Sequence, residues 1–309
     1  MIPFLKLIRY KNLLMVLLTM VLTKYALINY ILIESYLSNL DFIILAFSVL
    51  FITAGGYIIN DIYDVEVDKI NKPSKVIIGN TVSSKNAWTS YILLTVLGLC
   101  LGIFISYHKY LYNHLFYFIG TALSLFLYSK YLKKIALIGN LVIAFLCAFV
   151  IYLIFTFDLR IDIDEYLKKI NFRGINQIQF FNLFKFYFLF MSFMITLIRE
   201  LIKDIEDIKG DYNSNYKTLP IILGKKRVRN LIIVLASILS ILIMIYSSLF
   251  YDLDFKMISI LTFIIGACLL IFIYKLWSAK TKKQFHFLSN LMKLIMLLGI
   301  LSMGLFKFI

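Results

Sequence analysis

Residues 41–73 read DFIILAFSVLFITAGGYIINDIYDVEVDKINKP. An apolar run of about 20 residues, long enough to cross a bilayer as a helix, leads straight into Asp61, Asp64 and Asp68, spaced D-x-x-D-x-x-x-D. The same spacing returns at Asp204, Asp207 and Asp211, again behind a long apolar run. A hydrophobic chain has little reason to stack carboxylates at a membrane edge unless they hold a cation.

The rest of the chain has the same character. Of its 309 residues 61% are hydrophobic and only three are proline, and the mean hydropathy is +0.89, well outside the range of water-soluble domains. Apolar stretches of spanning length lie near 13–35, 41–60, 87–107, 111–129, 136–156, 179–201, 229–250, 256–276 and 286–307. The expected fold is therefore all-α: a polytopic membrane helical bundle of about nine transmembrane helices. No linker or shift of composition divides it, so residues 1–309 are expected to form a single domain. The basic N-terminal cluster before the first apolar run resembles a signal peptide, but the run lacks a small-residue cleavage site and is read as a retained span.

Lysine and arginine are retained on the cytoplasmic side of short membrane loops. With the N-terminus cytoplasmic, that side receives 22 of the 32 basic residues and the far side seven. Both acidic motifs then face the cytoplasm, at the cell (inner) membrane. The net charge of +15 is dispersed over loops beside anionic lipid, and no nucleic-acid-binding module accompanies it. Cys100, Cys147 and Cys268 are isolated, and His108, His114 and His286 share no metal-ligand spacing with them, which argues against disulfides and zinc. The connection 157–178 mixes both charge signs and is expected to be a solvated loop rather than a surface helix.

On a helix turning about 100° per residue, positions 0, 3 and 7 fall within an arc of about 60°. Each aspartate triplet therefore points one way, and three like charges repel unless something positive sits against them. Mg²⁺ is the economical candidate, because it takes hard oxygen ligands and is commonly held by one or two carboxylates together with substrate phosphates. Two such faces would hold Mg²⁺ bridging to a diphosphate. Charges that merely solubilise helix ends would not require two copies with one spacing on one side.

The first motif, Asn60-Asp61-x-x-Asp64-x-x-x-Asp68 followed by Asn71-Lys72-Pro73, resembles the signature of the UbiA superfamily of intramembrane prenyltransferases. Residues 199–211, RELIKDIEDIKGD, followed by Lys217-Thr218-Leu219-Pro220, look like that family's second motif, in the form carried by the branch that makes digeranylgeranylglyceryl phosphate. The resemblance covers nearly the whole chain. It implies Mg²⁺-dependent transfer of a prenyl group, geranylgeranyl in that branch, from a polyprenyl diphosphate to geranylgeranylglyceryl phosphate, or alternatively to an aromatic acceptor for quinone synthesis. A cation transporter is the remote alternative, disfavoured because the acids sit at span ends rather than on broken helices at the midplane.

Carried over by position, the resemblance implies metal ligation by Asn60, Asp61, Asp64, Asp68, Asp204, Asp207 and Asp211. Asp64, Asp68, Asp207 and Asp211 would be catalytic, with Asp68 a candidate base for the acceptor. Substrate-binding roles fall to Arg9, Asn12, Lys72, Lys75, Tyr128, Lys133 and Lys217. Arg9 and Asn12 stand in an R-Y-x-N sequence where the family has R-P-x-N. Lys75 stands where the family often has arginine, which costs bidentate recognition of phosphate.

Overall fold

The computed structural model describes residues 2–29, 35–158, 171–172 and 175–308. Eleven helices carry the described chain: α1 (Ile2–Leu7), α2 (Tyr10–Leu22), α3 (Asn39–Asn71), α4 (Ser84–His108), α5 (Leu115–Lys130), α6 (Ile138–Asp158), α7 (Gln177–Asn213), α8 (Leu219–Leu223), α9 (Lys225–Asp252), α10 (Lys256–Ser278) and α11 (Lys282–Gly304). A two-residue antiparallel ladder, Asn171–Phe172 with Ile175–Asn176, precedes α7. Most of the 157–178 connection lies outside the described residues.

Among the described residues seven helices are long and apolar enough to cross a membrane: α2 with its continuation to Ile28, α3, α4, α6, α9, α10 and α11. The protein is an integral, multi-pass, helical membrane protein. The expected span at 111–129 opens instead on a 3₁₀ turn, Tyr112–His114. It leaves α5 with 16 residues, about 24 Å at 1.5 Å per residue against a hydrocarbon core of about 30 Å. The span expected at 179–201 falls within α7, which runs on to Asn213. Large side chains such as Phe104, Phe116, Phe145 and Phe263 are exposed, as a surface facing lipid tails permits.

The chain divides into two compact units. The first comprises residues 1–18, 37–142 and 207–222. Its spine is α3, whose start is capped by Ser38 accepting from the Asp41 amide, a preferred N-cap arrangement. At 33 residues α3 is about 50 Å long, so its C-terminal third, which carries the first acidic motif, has length to spare beyond the hydrocarbon. Helices α4 and α5 pack on α3. Close approach to α4 depends on Gly98, where a Cβ would lie 3.0 Å from the backbone of Ser48 and Ile52, the small-residue packing typical of membrane helices. Tyr63, on the side of α3 away from the acids, makes edge contacts with Trp88 and Phe126.

The second unit comprises residues 19–36, 143–206 and 223–309. Its core is aromatic: Phe184 stacks on Phe250 at 5.0 Å and meets Phe255 and Phe306 edge-on. Ser247 and Ser259 bond each other's carbonyls across α9 and α10, polar contacts of the kind that join helices in lipid. Lys24 is buried here with Asp158 at 3.2 Å and Ser35 at 2.6 Å.

Candidate active site

The first unit gathers the acidic residues of α3 with the last turns of α7 and the basic residues of three connections. Arg9 sits at the break between α1 and α2 in the left-handed backbone region, φ 51°, a conformation that costs a non-glycine residue about 1–3 kcal/mol. From there its guanidinium reaches Asp61 at 2.7 Å and lies over the Tyr57 ring. Tyr57 and Asp61 are one turn apart on α3, so the cation covers the acidic face at its membrane end.

Asp64 is met by Lys133 at 2.6 Å and accepts from the Asn60 amide at 2.8 Å. Lys133 also approaches Asn60 Oδ1 at 3.4 Å. Only 7% of the Lys133 side chain is exposed, and burial pushes its ammonium below the ordinary lysine value against the opposing pull of Asp64. Lys72 forms an ion pair with Asp207. Asp68, half-buried, follows Asp64 by one turn.

Asp211 lies well beyond residue 201, past the apolar part of α7. Its carboxylate accepts from the Thr218 hydroxyl at 3.4 Å, and its carbonyl accepts from the Tyr216 amide at 2.9 Å. Burial, and then the charges of Asp207 and Asp64, push its carboxyl up to about 7. The Tyr216 phenol is likewise raised, by burial and then by Asp64, Asp211 and Asp68. Acids of both motifs thus act on the same few groups. The Lys134 ammonium lies over the Tyr216 ring at 5.4 Å, and the Lys217 amide donates to the Lys134 carbonyl, tying the 131–137 connection to the 214–218 turn.

Among the described residues no three acidic, histidine or cysteine side chains converge as a ready-made metal cluster. The donor set nonetheless fits a hard divalent cation: carboxylate and carboxamide oxygens, with no sulfur or imidazole, which suits Mg²⁺ held by one or two carboxylates per ion and completed by phosphate oxygens.

Residues 13–297 match the model of the UbiA prenyltransferase family. The chain belongs to that family. Among its relatives are the digeranylgeranylglyceryl phosphate synthase of Methanosphaera stadtmanae, 32% identical over 97% of each chain, and that of Saccharolobus solfataricus, 34% identical over 74% of this chain and 72% of the relative. A solved structure concerned with digeranylgeranylglyceryl phosphate synthase in membranes is 27% identical with a TM-score of 0.64, covering 98% of this chain and 96% of the other. A UbiA homologue from Archaeoglobus fulgidus bound to GPP and Mg²⁺ shares the fold, with a TM-score of 0.59 at 16% identity over 98% and 99% of the two chains.

Within this UbiA family member, Arg9, Asn60, Asp61, Asp64 and Lys133 form one group, and Lys72 with Asp207 a second, beside Asp211. Asp204 is half-buried on α7, one turn before Asp207, and falls in the second compact unit. Asn12 is half-buried with its amide donating to the Arg9 carbonyl, Tyr128 is half-buried on the last turn of α5, and the Lys217 side chain is exposed. The Lys75 side chain lies outside the described residues. Sequence reading missed Tyr216, Thr218, Asn71 and Gly210 as contributors. Thr218, Asn71 and Gly210 lie within quoted motifs, which was the available signal; Tyr216 gave none.

Proposed function

We propose that this protein is a Mg²⁺-dependent prenyltransferase that moves a geranylgeranyl group from its diphosphate to the hydroxyl of geranylgeranylglyceryl phosphate and releases diphosphate. The observation that carries the reading is the pairing of oxygen donors with cations in the first unit: Asp61 with Arg9, Asp64 with Lys133, Asp207 with Lys72. Such a set offers both partners a metal diphosphate needs, carboxylates for the metal and cations for phosphate oxygens. The names of the relatives support the lipid acceptor.

Asp61, Asp64, Asp68, Asp207, Asp211 and Asn60 would hold Mg²⁺ directly or through water, and Asp204 belongs to the second triplet on its own helix. When bound, Mg²⁺ neutralises the departing diphosphate and lowers the barrier to breaking the carbon–oxygen bond. Arg9, Lys72 and Lys133 orient the phosphate oxygens. Lys75, Lys217, Asn12 and Tyr128 are assigned to substrate by their motif positions. Asp68 accepts the acceptor's proton. The prenyl carbons run among apolar side chains or out to lipid, since they gain nothing from the polar connections. The excess of basic residues in one set of loops supports a site facing the cytoplasm at the cell membrane, within a single functional domain of residues 1–309.

The test is to give membranes containing the protein labelled geranylgeranyl diphosphate with either geranylgeranylglyceryl phosphate or aromatic acids. A labelled digeranylgeranyl ether lipid is expected, abolished by EDTA and restored by Mg²⁺. Labelling of an aromatic product alone would overturn the acceptor assignment.

A further inference from the structure

The last residue of α3, Asn71, is 8% exposed and takes no direct part in the chemistry proposed above. Its side-chain amide nitrogen donates to the Asp207 carbonyl at 2.9 Å, and its side-chain oxygen accepts from the Gly210 amide at 2.9 Å. A carboxamide is the smallest side chain that offers a donor and an acceptor together in a fixed plane. Gly210 makes room for it: a Cβ at 210 would overlap the Asn71 amide. The neighbouring Lys72 pairs with the Asp207 carboxylate. Two consecutive residues of the N-K-P segment therefore grip residues 207–210 by backbone and side chain, all within one compact unit.

We infer that Asn71 is a positioning residue for the second acidic motif: its carboxamide, seated against Gly210, fixes the turn of α7 that aims Asp207 and Asp211. Three physical points support this. The two hydrogen bonds are made to backbone, so they constrain the helix itself rather than one rotamer. They fall on Asp207 itself and on Gly210, the residue immediately before Asp211. The bond from the Gly210 amide is buried and the bond to the Asp207 carbonyl half-buried, so water competes little for either. Asn71 then acts on the metal only through the aspartates, as residues behind metal ligands do.

The inference rests on the proposed Mg²⁺–diphosphate site, and its test separates the two. Full-length Asn71→Ala, Asn71→Asp and Gly210→Ala are purified in detergent. Mn²⁺ binding in the presence of inorganic pyrophosphate is read by electron paramagnetic resonance, alongside the unfolding temperature and the Mg²⁺ dependence of kcat. The expected result is a Mn²⁺–pyrophosphate affinity weakened about tenfold or more, with Mg²⁺ half-saturation rising in parallel. Asn71→Asp, which keeps the acceptor and loses the donor, decides the matter if Asn71→Ala fails to fold. Wild-type metal affinity in folded variants, whether or not their unfolding temperature drops, would overturn the positioning role. A wild-type protein that binds no Mn²⁺ with pyrophosphate would instead overturn the reading of the site.

Discussion

At Asp211 the local chemistry sets a pH window. Burial and the neighbouring acids raise its carboxyl to about 7, so near neutrality a proton competes for the oxygens that a cation would use. An acid with a raised value binds metal fully only above that value and loses ground as pH falls through it. The Mg²⁺ concentration giving half-maximal transfer is therefore expected to be nearly flat between pH 8 and 9 and to climb progressively from pH 7 to 6. A Mg²⁺ requirement unchanged from pH 9 to 6 would contradict a ligand role for Asp211. The acids themselves were legible from sequence because 3- and 7-residue spacings share one helix face. The resemblance named Arg9, Lys133 and Lys72 for substrate, but their pairing with the acids was not legible: they lie 52, 69 and 135 residues from Asp61, Asp64 and Asp207, and spacing carries no information over such separations.

Among the elements, the apolar runs predicted helices well because a bilayer leaves the backbone few other ways to satisfy its hydrogen bonds. Lengths were less legible. A hydropathy window registers the apolar residues around Tyr112–His114 without sensing the 3₁₀ turn that shortens α5, and it stops at residue 201 while α7 continues for three more turns of charged helix. The second unit contains a tie of another kind, where α2 continues as a π-helical segment, Thr23–Ile28. Lys24 there is 1% exposed against Asp158 at 0%, with Ser35 bonded to both. Removing one partner leaves a charge buried alone, which costs about 3–5 kcal/mol, whereas removing both leaves no buried charge and only the Ser35 hydroxyl to find another partner. Lys24→Met and Asp158→Leu should therefore each lower the unfolding temperature in detergent more than the double variant does. A double variant as unstable as the two single losses added would show that the pair is not coupled.

For the molecule as a whole, the family match spans residues 13–297, so the segments contributing to the site, from α2 to α8, all fall within the matched region or, like Arg9, just before it. Residues 207–222 belong to the same compact unit as α3, and Asn71 and Lys72 at its end bond Asp207 and Gly210, which brings the end of the second motif against the first. That arrangement is the physical content of reading two acidic motifs as one site, and it is most directly tested by losing one acid from each. Purified wild type, Asp64→Ala and Asp207→Ala are assayed for transfer from labelled geranylgeranyl diphosphate to geranylgeranylglyceryl phosphate in Mg²⁺, after confirming that all three insert into membranes. Each single substitution is predicted to reduce turnover at least about a hundredfold, roughly 2.7 kcal/mol of transition-state stabilisation. Wild-type turnover by either variant would contradict the shared site.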